Sequence, residues 1–242
     1  MIRDSFVIGK FQELAITVKT AKSKNYLQYG YGQRSLQILE SHDKLTEIIE
    51  KSGGKLNHYE ITESNILLNA FYLNMVGAID NLAWAIQHEF NLIDGADETN
   101  KKRNKVGLFT KDFQNALVHS SPEIANKLNE FKSWFCDLKK FRDPAAHRIP
   151  LFCVPRILRA ENKKEYLKAQ NDFLQQDFQK NRNAYMNAQY ALNQIGNFEA
   201  TFICYSESFE QIMYPLSRTV KQDYEPFWKV SDIIYQCFAN HT

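Results

Sequence analysis

The chain has 242 residues, of which 44% are hydrophobic and 24% charged, so it holds enough apolar material for one large folded domain. Only 9 Gly and 6 Pro interrupt it, and this scarcity of turn residues disfavours an all-β protein and favours long helices. The formal net charge of +2 excludes no class of partner, so the position of the basic residues matters more than their number.

The amino-terminal part predicts one clear helix. Residues 6–22 alternate loosely between apolar and polar types and fit either a helix or a strand. Residues 26–32 hold three tyrosines and two glycines, which indicates a loop. Residues 33–52 place apolar side chains mostly at three- and four-residue steps, and Gly53-Gly54 follows, so we expect a surface helix that ends there.

A long apolar helix comes next and should be central to the fold. Thr62 or Ser64 is a suitable cap for its start, and the apolar pattern continues to about Phe90. Three of its polar residues are spaced by seven positions and therefore form one stripe on the helix surface. These residues are Asn74, Asn81 and His88, with Asp80 beside them.

The middle of the chain predicts a polar loop and two further helices. Residues 91–106 form the loop, and residues 109–118 fit a short helix. The loop contains the basic residues Lys101, Lys102, Arg103 and Lys105. Ser121-Pro122-Glu123 is a strong start signal for a helix that continues through residues 124–141. This helix should break before Pro144, because proline lacks an amide hydrogen and clashes with the carbonyl four residues earlier.

The carboxy-terminal part mixes helical and extended patterns. Residues 161–193 have helical composition, whereas residues 198–205 are partly aromatic and β-branched and fit an extended segment. A last helix should begin at Pro215 or Thr219 and reach Phe238.

Together these elements predict a mainly α fold, an up-and-down helical bundle with extra terminal elements, in a single domain of residues 1–242. We expect residues 33–193 to form the bundle core and residues 194–242 a C-terminal extension packed on it. The main bundle members should be the helices that contain Gln33, Ile66, Ile124 and Glu161.

The segment 141–150 is the part of the sequence that suggests chemistry. Asp143 is a suitable N-cap and Pro144 fits the first position of a new helix, which makes Arg142 and His147 the two positions that meet in a hydrophobic staple. Such a turn would bring the guanidinium and the imidazole to one place. A straight helix would instead hold them about 140° apart. The prediction of a shared site therefore depends on the break at Pro144.

These two residue types suit cleavage of RNA without a metal. A histidine with an ordinary pKa of about 6.5 can accept or donate a proton at neutral pH. An arginine binds a phosphate through two parallel hydrogen bonds and stabilises the charge that develops on it. One histidine serves one proton-transfer role at a time, so a second copy from a symmetric partner would supply the other.

This motif resembles the HEPN superfamily, and its longer context resembles one bacterial group within that superfamily. The context is Phe141-Arg142-Asp143-Pro144-Ala145-Ala146-His147-Arg148-Ile149-Pro150-Leu151. The upstream segments Ile79-Asp80-Asn81-Leu82-Ala83-Trp84 and Val106-Gly107-Leu108-Phe109 are similar to the same group, so the resemblance covers roughly residues 64–155.

The resemblance implies a helical bundle that forms a homodimer, in which the arginine and histidine of both subunits line a cleft that cuts RNA. It carries catalytic roles over to Arg142, Asp143 and His147. It is also compatible with a toxin or defence system that includes an antitoxin or another partner protein. Several branches bind nucleotides or proteins without cutting RNA, so a non-catalytic binding module is the alternative.

Basic residues around the motif are candidates for binding the RNA backbone. Residues 139–164 contain eight Lys or Arg and two acids. We select Lys139, Lys140 and Arg148 here, together with the four basic residues of the 91–106 loop. Asp80 and Asn81 are candidates for orienting Arg142 and His147 from the central helix.

Each of these features also has a purely structural interpretation. Arg142 and His147 could be a salt-bridged arginine and a capping histidine at a helix break. The polar stripe could consist of buried groups that satisfy one another. The basic loop could simply be solvated.

Other functions find no support in the sequence, and we expect no metal and no cofactor. There is no P-loop, no G-x-G-x-x-G, no pair of Glu-x-x-His motifs and no H-E-x-x-H. Cys136, Cys153, Cys204 and Cys237 form no C-x-x-C pair, so we expect free thiols in a reducing cytoplasm. No signal-peptide pattern follows Met1, and no stretch reaches the roughly 18 uninterrupted apolar residues of a membrane span.

Overall fold

The fold is mainly α-helical, as the sequence predicts. The computed structural model describes residues 2–239, with side chains from residue 7 onwards. Helices contain 71% of the chain, and one small sheet of three strands accompanies them in the described part.

The described residues contain ten α-helices and three β-strands, joined by loops and short helical turns. The helices are α1 (Ile2–Thr17), α2 (Ala21–Asn25), α3 (Gly32–Ser52), α4 (His58–Phe90), α5 (Lys111–Ser120), α6 (Pro122–Asn129), α7 (Lys132–His147), α8 (Lys163–Leu174), α9 (Arg182–Asn193) and α10 (Leu216–Ala239). The strands are β1 (Phe152–Val154), β2 (Thr201–Tyr205) and β3 (Gln211–Pro215), which form an antiparallel sheet in the order β1-β2-β3.

Helix α4 is the central element, and α3, α7 and β1 pack against it. It begins earlier than expected, because Asn57 caps it in a reciprocal capping box with Glu60. By length and composition α4 could cross a membrane, but 56% of its most apolar window is buried inside the protein, as in the core helix of a globular domain.

The predicted loop at residues 26–32 is instead helical, with a π-helical turn over Tyr26–Tyr31 that joins α2 to α3. Gly30 permits this close packing on α4. A Cβ atom at Gly30 would lie 2.8 Å from Cγ of Asn81, so only glycine accommodates the asparagine there.

The helix expected to contain Glu161 is not part of the core. Helix α8 begins at Lys163 and has no buried residue, and α9 buries only Leu192. The two helices pack mainly on each other, for example through Phe173 and Tyr185. Helix α10 packs in the core instead, because its amphipathic face buries a row of large apolar residues.

Two asparagines of α4 attach the segment that follows α7. Asn69 donates to the carbonyl of Leu151 at 2.8 Å and accepts from its amide at 3.0 Å. Asn65 accepts from the amide of Cys153 at 2.6 Å. These bonds align β1 with α4 and fix the position of the chain immediately beyond the motif.

Candidate functional site

Helix α7 continues through Pro144 and ends at His147, so the predicted break before Pro144 is wrong. Asp143 is therefore not an N-cap, and Pro144 is not the first residue of a new helix. The helix tolerates the proline because it lies in the last turn, where only one intrahelical hydrogen bond is lost. The carbonyl of Pro144 still accepts the amide of Arg148 at 2.9 Å.

The carbonyl left without its helical donor belongs to Lys140, four residues before Pro144. The thiol of Cys204, on β2, donates to this oxygen at 3.4 Å. Burial raises the pKa of Cys204, which keeps the thiol protonated and able to donate. The sheet thus compensates for the proline in α7, which sequence patterns alone could not show.

Because α7 is continuous, Arg142 and His147 point about 140° apart within one chain. His147 is exposed and makes no hydrogen bond or ion pair within the described residues. Arg142 is half-buried, and its Nε lies 3.1 Å from Oδ1 of Asp143. The angle of that contact does not make a hydrogen bond, so the buried Nε–H has no acceptor in the described part of the chain.

Asp80 and a further arginine complete the charged cluster around Arg142. Asp80 is exposed on one side, yet protein atoms desolvate its carboxylate and raise its pKa. The positive charges of Arg142, Lys139 and Arg34 oppose this rise, so all three lie within electrostatic range. Asp80 is therefore within electrostatic range of Arg142, and its role in orienting Arg142 or His147 stays a prediction.

Sequence reasoning missed Arg34. Its guanidinium lies over Gly77 of α4, where an added Cβ would be 2.6 Å from Cζ, and its Nη1 donates to Asn74 at 3.0 Å. A glycine inside a long apolar helix is a signal of close approach by another group. Gly77 is such a glycine, but its presence in the sequence does not show that Arg34 is the residue that approaches it.

The polar stripe on α4 divides among separate partners. Asn74 binds Arg34, Asn81 packs on Gly30, and His88 lies 2.7 Å from Glu98 through its Nε2. The stripe thus does not converge on the motif as a unit.

Glu98 attaches the loop of residues 91–106 to the rest of the protein. Glu98 accepts from Lys22 at 2.9 Å and from Tyr26 at 2.9 Å, besides its contact with His88. The 3₁₀ turn Lys101–Lys105 is exposed and packs against α5. Of its predicted binding residues, Lys102 donates to the carbonyl of Asp94 at 2.6 Å, and Lys105 lies 3.8 Å from Asp112.

A groove of about 570 Å³ lies between α7 and the β2–β3 hairpin, and we call it the α7 groove. Its α7 side includes three of the predicted binding residues, Lys139, Lys140 and Arg148, together with Asp143. Its hairpin side includes Tyr205, Glu207 and Tyr214, with Pro144 and Cys204 between the two sides. The helical repeat places His147 on the same stripe of α7 as Lys140 and Asp143.

The arrangement offers cationic groups that can bind an anion and an exposed imidazole that can transfer a proton. No group of three or more His, Cys, Asp or Glu residues that could hold a metal ion occurs within the described residues. Comparison with protein-family models, with curated proteins and with solved structures found no match to this chain.

Proposed function

We propose that the chain is a metal-independent endoribonuclease of the HEPN type, in which Arg142 and His147 act in the cleft of a two-fold dimer. The observation that carries this proposal is the exposed imidazole of His147, which has no partner in the described residues and ends the stripe of α7 that contributes Lys140 and Asp143 to the α7 groove. A histidine in this position is available to a ligand rather than committed to the fold.

The chemistry uses the substrate's own nucleophile. His147 takes the proton of the RNA 2′-hydroxyl, whose oxygen attacks the neighbouring phosphorus. The bond from phosphorus to the 5′-oxygen breaks, and that oxygen receives a proton from the second histidine. The products are a 2′,3′-cyclic phosphate and a 5′-hydroxyl. Arg142 holds the phosphate and stabilises its developing charge.

The geometry of α7 motivates the dimer. Within one chain, Arg142 and His147 point in different directions, so one helix does not supply both groups to the same phosphate. A two-fold axis near the end of α7 supplies the second histidine from the other subunit. Asp143, beside Arg142, orients the guanidinium rather than capping a turn. In a cell this enzyme would act on cytoplasmic RNA, in a toxin or defence system with its own antitoxin or partner protein.

The test is cleavage of a mixed RNA substrate in EDTA, with the product ends identified. His147→Ala should abolish cleavage without unfolding the protein. His119→Ala is the matched control, because His119 is also an exposed histidine in the last turn of a helix. Arg142→Lys should lose most activity, since lysine keeps the charge but not the planar fork. Equal cleavage by His147→Ala and wild type, or a requirement for divalent metal, would contradict the proposal.

A second function, a non-catalytic module that binds a nucleotide, is favoured by the α7 groove itself. Its volume of about 570 Å³ falls in the range of small-molecule sites, and it combines cations with tyrosines. Persistent absence of cleavage in purified protein that still binds nucleotide would support this function over the nuclease.

A further inference from the structure

We propose that the α7 groove binds an unpaired base of single-stranded RNA, and that Tyr205 and Tyr214 of the β2–β3 hairpin make the protein selective for unpaired RNA. This inference rests on the proposed function in taking RNA as the ligand. It assigns a role to the hairpin, which no sequence motif marks.

The two tyrosines line the groove on a rigid support. The ring of Tyr214 stacks on Phe202 with centroids 5.5 Å apart and meets Phe141 edge-on at 4.9 Å. The hydroxyl of Tyr205 accepts from Nε2 of Gln211 at 2.7 Å, across the β2–β3 pair. Aromatic rings held in this way bind bases through stacking, which is available only to bases that are out of a duplex.

The charges in the groove suit the RNA backbone. Lys140 is paired with Asp137 at 2.6 Å, whereas Arg148 makes no ion pair within the described residues. Lys139 likewise makes no ion pair within the described residues, although Asp80 lies in its electrostatic range, so Arg148 is the groove cation most open to a phosphate. The groove also contains Glu207, whose carboxylate can accept hydrogen bonds from the amino group of a base.

The floor of the groove is uncharged. Pro144 and Cys204 lie there, and burial raises the pKa of the Cys204 thiol, which stays neutral at physiological pH. The walls on either side carry the acids Asp143 and Glu207 as well as the lysines and tyrosines, and the uncharged floor between them accepts a flat base. His147 lies on the same stripe of α7 as the groove residues Lys140 and Asp143, so RNA bound in the groove runs toward the end of the helix that carries this imidazole.

The test measures binding apart from cleavage. A fluorescent 2′-O-methyl oligonucleotide, which lacks the nucleophile, is titrated with full-length protein as a single strand and as a duplex. The single strand should bind more tightly. Tyr205→Leu should weaken single-strand binding at least about fivefold, the lower end of one base-stacking interaction. Tyr190→Leu, at an exposed tyrosine of α9, should not change it.

The salt dependence tests the phosphate contact. Arg148→Ala should reduce the slope of log affinity against log salt by about 0.7, the value for one phosphate contact with a single strand. Lys132→Ala, at an exposed lysine of α7 outside the groove, should leave the slope unchanged. A merely structural role of Arg148 would lower affinity without altering this slope.

The outcomes separate this inference from the proposed function. If the wild-type protein cleaves RNA while Tyr205→Leu and Arg148→Ala bind the single strand as tightly as wild type, the inference is overturned. The proposed nuclease function is then not affected. Groove-dependent binding of single strands without any cleavage would support the inference and contradict the nuclease. Equal affinity for single strand and duplex would overturn the inference.

Discussion

Asp223 is a buried carboxylate whose ionisation opposes folding. It accepts hydrogen bonds from the hydroxyl of Tyr72 at 2.9 Å and from Nε1 of Trp134 at 3.0 Å. Burial raises its pKa to about 6, although both hydrogen bonds act to lower it. The cluster joins α4 and α10 to the first turn of α7, so the charge state of one residue affects how the start of α7 is held.

This shift predicts a pH dependence of stability. Between the unfolded pKa of about 3.9 and the folded pKa of about 6, the folded state binds more protons, so the free energy of unfolding falls as pH rises through this window. The loss is on the order of 2–3 kcal/mol. Asp223→Asn should remove this part of the decline in denaturant titrations at pH 4, 5 and 7.

Tyr72→Phe is the matched variant for this prediction. It removes a hydrogen bond that stabilises the ionised carboxylate, so the decline should move to higher pH. An unchanged pH profile in Asp223→Asn would show that other groups cause the decline.

At the scale of elements, the packing of α3 on α4 fixes the charged cluster. Arg34 of α3 reaches Asn74 of α4 only because Gly77 leaves room for the guanidinium. The same contact brings Arg34 within electrostatic range of Asp80. A helix interior disfavours glycine, so this site gives up some helix stability for the close approach.

Gly77→Ala should therefore separate stability from function. Alanine favours the helix by up to about 1 kcal/mol, and the group it meets is the flexible end of Arg34, which can move. We expect unchanged or slightly raised stability together with reduced RNA cleavage or binding. Gly9→Ala in α1 is the control, because no atom lies within 4 Å of its added Cβ. Equal activity of both variants would show that the position of Arg34 does not matter.

At the scale of the whole molecule, the proposed mechanism requires two chains for one cleft. Sedimentation at working concentration should show a dimer. After subunit exchange with inactive His147→Ala protein, cleavage should fall as the square of the wild-type fraction, because a mixed dimer lacks one of the two histidines. A linear fall, or a monomer that cuts RNA, would contradict the shared cleft.

The sequence alone determined the helical class, the central position of α4 and most element positions, because apolar periodicity and the scarcity of glycine and proline are local properties. It predicted the end of α3 at Gly53, the start of α6 at Pro122 and the last helix from Pro215 onwards. The single helix expected through residue 141 is wrong, because a turn at Glu130 and Phe131 divides it into α6 and α7. It also singled out Arg142, His147 and Asp80 as candidates, and the structure brings Asp80 within electrostatic range of Arg142.

Only the tertiary structure decided how α7 passes Pro144, which helices fill the core and what surrounds Arg142. The Lys140 carbonyl that Pro144 leaves without a helical donor accepts the Cys204 thiol, which comes from a strand about 60 residues later. Arg34 and the tyrosines of the β2–β3 hairpin reach the site through packing between distant segments. Such contacts join side chains that are far apart in the chain. Local sequence patterns report only on neighbouring residues, so they do not predict these contacts.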